Sequence, residues 1–181
     1  MTEVSVSMYC GDPAVSVRDA VRTMLGDIAS VPVILCIGSD KVTGDCLGPL
    51  TGYFLTKRLN VPAYVYGTLE SPVTARNLES ACKFISGAHR GSRVLAVDAA
   101  LGDFHNIGMM FFRRQGVFAG SAMNKAIPRA GDYSVTAVVN SGGIGDSAKL
   151  FSTSINTVIK LAETIAHGIN SVCEEKARLC V

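Results

Sequence analysis

Three aspartates, and the turns that hold them, carry the chemistry available to this sequence. Asp40 and Asp45 lie in the stretch Cys36-Ile37-Gly38-Ser39-Asp40-Lys41-Val42-Thr43-Gly44-Asp45-Cys46-Leu47-Gly48-Pro49, and Asp98 closes the apolar run Val94-Leu95-Ala96-Val97. Two carboxylates held close cannot both stay ionised. They share one proton and so offer an acid and a base together. Such a pair can activate water against an amide carbonyl, and it can equally hold a divalent cation. A turn built to cradle phosphate presents bare N–H groups and a cation. Here only Lys41 stands between two acids, so acid/base or metal chemistry leads and nucleotide binding trails.

Each of these residues also has a plainer role open to it. Asp45, just before Cys46-Leu47, fits a helix N-cap. Asp98 fits an Asx-turn at a strand end, and Asp40 an ordinary turn residue. Cys46 stands at a helix start, which favours a thiolate, but Asp45 beside it opposes one and no histidine is placed to help. His105, in a loop after Asp98, is a candidate third metal ligand beside Asp45 and Asp98, or simply a surface residue. His89 and His167 read as helix-surface residues. Gly143-Ile144-Gly145-Asp146-Ser147-Ala148 matches G-x-G-x-x-A, but no strand follows it to supply the acidic residue of a dinucleotide site. Its glycines read instead as a loop turning closely over a crevice.

The elements that must position these residues can be read from periodicity. Asp12-Pro13 opens an amphipathic helix through Val17, Val21, Met24 and Leu25, closed by Gly26-Asp27. Val33 to Ile37 reads as a buried strand, followed by the acidic turn and a helix from Leu50 to about Leu59. Ala63 to Gly67 is a second strand. Ser71 caps a helix with Pro72 just inside it, running through Leu78, Cys82 and Ile85 to Gly87. Val94 to Val97 is a third strand, Ile107 to Phe112 a fourth and Tyr133 to Val139 a fifth, with a loop through Gly116, Gly120 and Pro128 between the last two. Ile155, Val158, Ile159, Ala162, Ile165, Ala166, Ile169, Val172 and Cys173 form one stripe of a long final helix. Strands alternating with helices argue for βαβ units, hence a three-layer α/β/α sandwich on a mostly parallel, twisted sheet. In such a sheet the second and third strands flank the first, and ligands bind beyond the carboxyl ends. Topology alone therefore brings Asp98 opposite the acidic turn.

Composition sets the outer bounds. With 181 residues, 48% hydrophobic and 18% charged, the chain suits one well-buried domain over 1–181. A net charge of +2 with scattered cations gives no nucleic-acid footprint. No apolar run is long enough to span a membrane, and Met1-Thr2-Glu3-Val4 does not open a signal peptide. Six cysteines without a CxxC fit a reducing cytoplasm and mostly buried thiols.

Ile37-Gly38-Ser39-Asp40 and Thr43-Gly44-Asp45-Cys46-Leu47-Gly48-Pro49 resemble the sporulation protein YyaC family. So do Val65-Tyr66-Gly67-Thr68-Leu69 with Pro72, Val97-Asp98-Ala99-Ala100-Leu101-Gly102, and Lys125-Ala126-Ile127-Pro128. That family is similar to the spore germination protease, an aspartic-type endopeptidase with a phosphorylase/hydrolase-like α/β fold, as in hydrogenase maturation proteases. The germination protease carries one catalytic Asp in Asp-Ala-Leu-Gly-Pro, which Asp45-Cys46-Leu47-Gly48-Pro49 matches with Cys for Ala. Its other catalytic Asp lies in an Asp-Ala strand-end motif, matched by Asp98-Ala99. In hydrogenase maturation proteases the equivalent acids, with a His, bind nickel or a surrogate cation. The resemblance thus implies a peptidase of a spore-forming bacterium with Asp45 and Asp98 as catalytic residues. Thr43 and Gly44 shape the turn, Asp40 tunes the pair, and Asn140 is a candidate donor to the substrate carbonyl. The expected partner is a protein or peptide substrate, with homo-oligomers open and neither nucleic acid nor membrane involved. No resident cofactor is expected; a divalent cation on Asp45 and Asp98 is the alternative. A second reading is an inactive binding or regulatory protein that uses the same crevice for a peptide or metal.

Overall fold

The computed structural model describes residues 3–25, 30–118, 129–143 and 145–179. In chain order the elements are β1 (Val4–Ser7), α1 (Pro13–Leu25), β2 (Val33–Cys36), α2 (Leu47–Tyr53), β3 (Tyr64–Tyr66), α3 (Leu78–Ala88), β4 (Val94–Gly102), β5 (Met109–Arg113), β6 (Tyr133–Ser141), α4 (Ala148–Phe151) and α5 (Ile155–Leu179). A 3-10 turn, Gly44–Cys46, leads into α2. Gly26-Asp27, Gly120, the Lys125–Pro128 motif and Ile144 lie outside the described residues.

The sheet has six strands in the order β1-β5-β6-β4-β2-β3. β3, β2, β4 and β6 run parallel, β5 is antiparallel to β6, and β1 is antiparallel to β5. The second and third of the sequence-read strands, β3 and β4, do flank β2. Alternation divides the sheet between two layers of helix. Ile34, Cys36, Leu95, Val97, Val135 and Ala137 face α1, α2 and α5, while Val33, Leu35 and Ala96 face Leu78 and Ile85 of α3. This is the three-layer α/β/α sandwich, on a mixed sheet that is mostly parallel. Each Leu or Ile sealed in these layers stabilises the fold by about 1.5–3 kcal/mol.

Several elements depart from the pattern read in the sequence. β1 escaped it because Val4-Ser5-Val6-Ser7 is short and only Val6 is buried. α3 begins at Leu78, not at Pro72; Thr74 and Asn77 hold its start, with the Thr74 N–H donating to Asn77 Oδ1 at 2.7 Å. The segment before it crosses the end of β2, where Val73 bridges Ile37 and its carbonyl accepts from the Gly38 N–H at 2.9 Å. On α5, Ile155 and Ile159 are exposed, while Leu161, Gly168 and Asn170 are buried. The stripe turns because α5 must meet both α1 and α2, and at Gly168 a side chain would strike Val17 of α1. No helix among the described residues is long and apolar enough to cross a membrane. Cys10, Cys36, Cys46, Cys82 and Cys173 are free thiols.

The largest departure is in the helix that follows the acidic turn. α2 starts at Leu47 rather than Leu50, and its last turn widens into a π turn over Phe54–Arg58. It starts early because its backbone lies directly on strand ends. A Cβ built at Gly48 would fall 2.0 Å from the Ile37 carbonyl oxygen, and one at Gly52 would fall 2.0 Å from that of Gly67. Only glycine lets helix and strand backbones come so near. We expect Gly48→Ala to cost about 3 kcal/mol or more, because a helix, not a side chain, must move. Gly87→Ala, at an exposed helical position with open space around it, should instead stabilise by about 0.5–1 kcal/mol. Urea titrations of both variants read the two signs.

Candidate active site

β2 ends at Cys36, opposite Val97 of β4. Ile37 makes one further bond, its N–H donating to the Val97 carbonyl at 2.8 Å, and the chain then swings away at Gly38. Gly38 has φ +143° and no room for a side chain, since a Cβ would sit 2.0 Å from the Asp45 carbonyl oxygen. The Ser39 N–H donates to that same carbonyl at 3.1 Å. The stretch from 39 to 45 is therefore a closed loop that returns Asp45 to the end of β2.

β4 does not stop where the sequence pattern placed its end. It runs on to Gly102, so Asp98 is an interior strand residue paired with Thr136 of β6. What ends beside Asp98 is β2. The aspartate thus stands at the first position of β4 that has lost its neighbour, at the place where the topology called for a crevice. The 3-10 turn carrying Asp45 lies beside β4 there.

Burial and mutual charge decide the electrostatics. Asp98 is 9% exposed. Its Oδ1 accepts from the Ala99 N–H at 2.9 Å. Loss of water, and then the negative charge of Asp45, push its pKa up to about 8. Asp45 is also raised by burial, but the Ser39 backbone N–H works in the other direction. Among the described residues no Lys, Arg or His forms an ion pair with Asp40, Asp45 or Asp98. At neutral pH Asp98, the more deeply buried of the two, keeps its proton. Asp98 is buried and Asp45 half-buried, and among the described residues neither carboxyl group has a counter-cation.

The plainer roles fare differently. Asp45 does not cap a helix: the N-cap positions are Thr43 and Cys46, and neither start has a side-chain cap bond. Asp40 is exposed at the rim; its charge, after burial and ahead of that of Asp45, helps raise the Cys46 thiol. Cys46 is buried and stays a neutral, inert thiol. Thr43 shapes the turn by accepting the Cys46 N–H at 3.3 Å. Gly44 is braced from outside, since a Cβ there would meet Leu150 Cδ2 and Thr153 Oγ1 at 2.8 Å each.

Asn140, read as a donor to the substrate carbonyl, turns its amide elsewhere. Its Nδ2 donates to the Lys149 carbonyl at 3.0 Å and to Thr153 Oγ1 at 3.4 Å. It ties the end of β6 to α4 and to the residues that wall in Gly44. Nothing in the sequence marks Lys149 or Thr153 for this bracing role. The G-x-G-x-x-A stretch leads only to the four residues of α4, and Asp146 Oδ2 there accepts the Gly143 N–H at 3.0 Å. It is a loop turn and not a dinucleotide cradle.

Among the described residues no third metal ligand joins the two acids. His105 is exposed in a 3-10 turn, its ring edge-on to Phe104. Among the described residues no three His, Cys, Asp or Glu side chains gather as a metal cluster. The donor set at the crevice amounts to two carboxylates, which does not fit the two-acids-and-histidine arrangement. His167 is exposed as read, whereas His89 is half-buried. Its Nε2 lies 2.7 Å from the Tyr66 hydroxyl and its ring 4.0 Å from that of Tyr64, far from the acids in role.

The raised Asp98 pKa makes stability depend on pH with a definite sign. The folded chain keeps a proton up to about pH 8 that the unfolded chain releases near its ordinary value of 3.8. The contribution of Asp98 to stability is therefore fullest below about pH 4, falls as pH rises through this window, and levels off above about 8. One such group changes it by at most about 1.4 kcal/mol per pH unit. Asp98→Asn should flatten that slope and leave the variant more stable than the parent at pH 9. Urea midpoints at pH 5, 7 and 9 check it.

Comparisons with known proteins give the chain a family and a fold. Residues 9–168 match the family model described as "Protein of unknown function (DUF1256)". The protein YyaC of Bacillus subtilis (strain 168), described as uncharacterized, is 35% identical over 138 residues, which are 76% of this chain and 67% of YyaC. Among solved structures, a NiFe hydrogenase maturation protease, HycI from Thermococcus kodakarensis KOD1, matches with a TM-score of 0.52 at 16% identity, over 85% of this chain and 98% of that one. At that identity the likeness speaks for the fold. The match to the family model over most of the chain, together with the YyaC identity, shows that this protein belongs to the DUF1256 family.

Proposed function

We propose that the protein is an aspartic-type peptidase that hydrolyses peptide bonds with Asp45 and Asp98. The observation that carries this reading is the placement of the pair: Asp98 is buried where β2 has ended beside β4, the turn carrying Asp45 lies against β4, and burial with the Asp45 charge raises the Asp98 pKa. Strongly perturbed carboxylates in a crevice at the carboxyl ends of parallel strands favour catalysis over a merely structural role. The resemblance to the germination protease points to the same two residues, and the fold shared with a maturation protease is compatible with it.

The division of labour follows from burial: the proton stays on Asp98, the more deeply buried of the two, and Asp45 is left to act as the base. Asp45, ionised, takes a proton from water as the water oxygen adds to the substrate carbonyl carbon. Asp98 gives its proton to the amide nitrogen as the C–N bond breaks, which releases an amine and a carboxylic acid. A proton passing from Asp45 back to Asp98 restores the pair. General acid–base steps of this kind contribute roughly 10²–10⁴-fold each. Thr43, Gly44 and the Asn140–Thr153 brace hold the turn, and Asp40 adds negative charge at its rim. A spore protein is the substrate that the family resemblance favours.

Purified protein incubated with small acid-soluble spore proteins, and separately with reduced, carbamidomethylated lysozyme, tests this. Asp45→Asn and Asp98→Asn should each lower cleavage at least 100-fold while the chain stays folded. Cleavage that survives chelator supports a metal-free pair, and loss with chelator moves the site to metal-assisted hydrolysis. The profile of kcat/KM should be bell-shaped. Its basic limb falls near pH 8 as Asp98 loses its proton, and its acid limb lies above the usual aspartate range as Asp45 gains one. Absence of cleavage on both substrates by folded protein leaves the crevice as a binding site.

A further inference from the structure

The crevice has a second component besides its acids, namely the bare edge of β4. The direction of each backbone group along β4 is fixed by the bonds at its two ends. The Val33 and Ile37 N–H groups donate to the Arg93 and Val97 carbonyls, so odd-numbered residues of β4 face β2. The Asp132 and Gly142 N–H groups donate to the Val94 and Gly102 carbonyls, so even-numbered residues face β6. β2 pairs with β4 only as far as Val97, yet β4 continues along β6 to Gly102. The odd positions beyond Val97, Ala99 and Leu101, therefore point their backbone into a lane that β2 has left.

Among the described residues three backbone groups in that lane are left without a partner. The Ala99 N–H is taken by Asp98 Oδ1. The Ala99 carbonyl and both the N–H and the carbonyl of Leu101 are left, on residues that are half-buried. Backbone groups withdrawn from water are nearly always paired, and an unpaired strand edge is a template for another strand. The lane is bounded on its far side by the 3-10 turn with Asp45. At its inner end it is closed by Ile37 and by the Val73 carbonyl, which draws Gly38 aside.

We propose that this edge, Ala99 to Leu101, takes up an extended, unfolded polypeptide segment as an added strand and so lays its backbone beside the Asp45–Asp98 pair. This rests on the peptidase reading for its consequence, but the docking itself is a separate property. Affinity comes from main-chain hydrogen bonds: a segment N–H donates to the Ala99 carbonyl, and a segment carbonyl accepts from the Leu101 N–H. The substrate class is then an unfolded chain or loose tail, since a folded protein has no free backbone to offer. Asp40 and Asp103 are exposed at the rim without an ion pair among the described residues, so the segment is better basic than acidic.

Reduced, carbamidomethylated lysozyme, a basic unfolded chain, is the probe. Hydrogen exchange of residues 98–102, followed in the Asp45→Asn chain so that the probe stays intact, should slow at least tenfold when the probe is added. Leu101→Pro removes an N–H that the β6 ladder does not use. It should raise KM about tenfold with kcat little changed, whereas Leu101→Ala, which keeps the N–H, should raise it less than threefold. Exchange at 98–102 that stays unchanged at every probe concentration overturns the docking edge, and so do equal KM values for the two Leu101 variants. Cleavage that needs both aspartates but leaves exchange at 98–102 unchanged keeps the peptidase reading and removes this one. Protection without cleavage does the reverse.

Discussion

Backbone packed on backbone at the head of α2 is the contact on which the rest of the structure depends. Gly48 rests on the Ile37 carbonyl and Gly52 on that of Gly67, while Gly38 rests on Asp45. With side chains at those places α2 would stand off the strand ends by the thickness of a methyl group or more. The loop from 39 to 45 would then no longer close on itself, and Asp45 would drift from Asp98. Glycine is usually a cost in a helix, about 1 kcal/mol relative to alanine. Here that cost is offset by a positioning that no larger residue permits.

The second constraint is electrostatic and follows from the first. Burying a carboxylate without a cation is expensive, and the group answers by holding its proton. Asp98 is buried because β4 lies in the middle of the sheet, and it still reaches the crevice because β2 has just ended beside it. Asp45 is the less buried of the two and has a backbone N–H to support its charge. Two identical side chains thus differ in how strongly each holds its proton, because they are buried to different depths. The same early end of β2 uncovers the Ala99 and Leu101 backbone, so the buried Asp98 carboxyl group and the strand edge share one origin.

The brace around Gly44 shows how distant segments enter the site. Asn140 at the end of β6 holds the Lys149 carbonyl and Thr153, and Leu150 and Thr153 close over Gly44. Its amide serves as a fastening for α4 in this arrangement. A polar residue at the carboxyl end of a strand looks the same in sequence whether it faces a ligand or a neighbouring loop, because the difference lies in what packs above it.

The sequence by itself determined the layers, the mostly parallel sheet and the nearness of the acidic turn to the strand that carries Asp98. Hydrophobic periodicity reports which face of each element is buried, and right-handed βαβ connections leave little choice of strand order. It also marked the glycine-rich turn. Only the tertiary structure decided that β4 outruns β2, that α2 begins at Leu47, and that α3 waits until Leu78. It alone decided that His105 stays apart from the acids and that Asn140 turns towards α4. Strand and helix ends are set by where a neighbouring backbone stops or comes into contact, as β2 stops at Cys36 and α2 meets Ile37. Local propensity carries no record of that distance, whereas the alternation of apolar and polar residues carries the burial of each face directly.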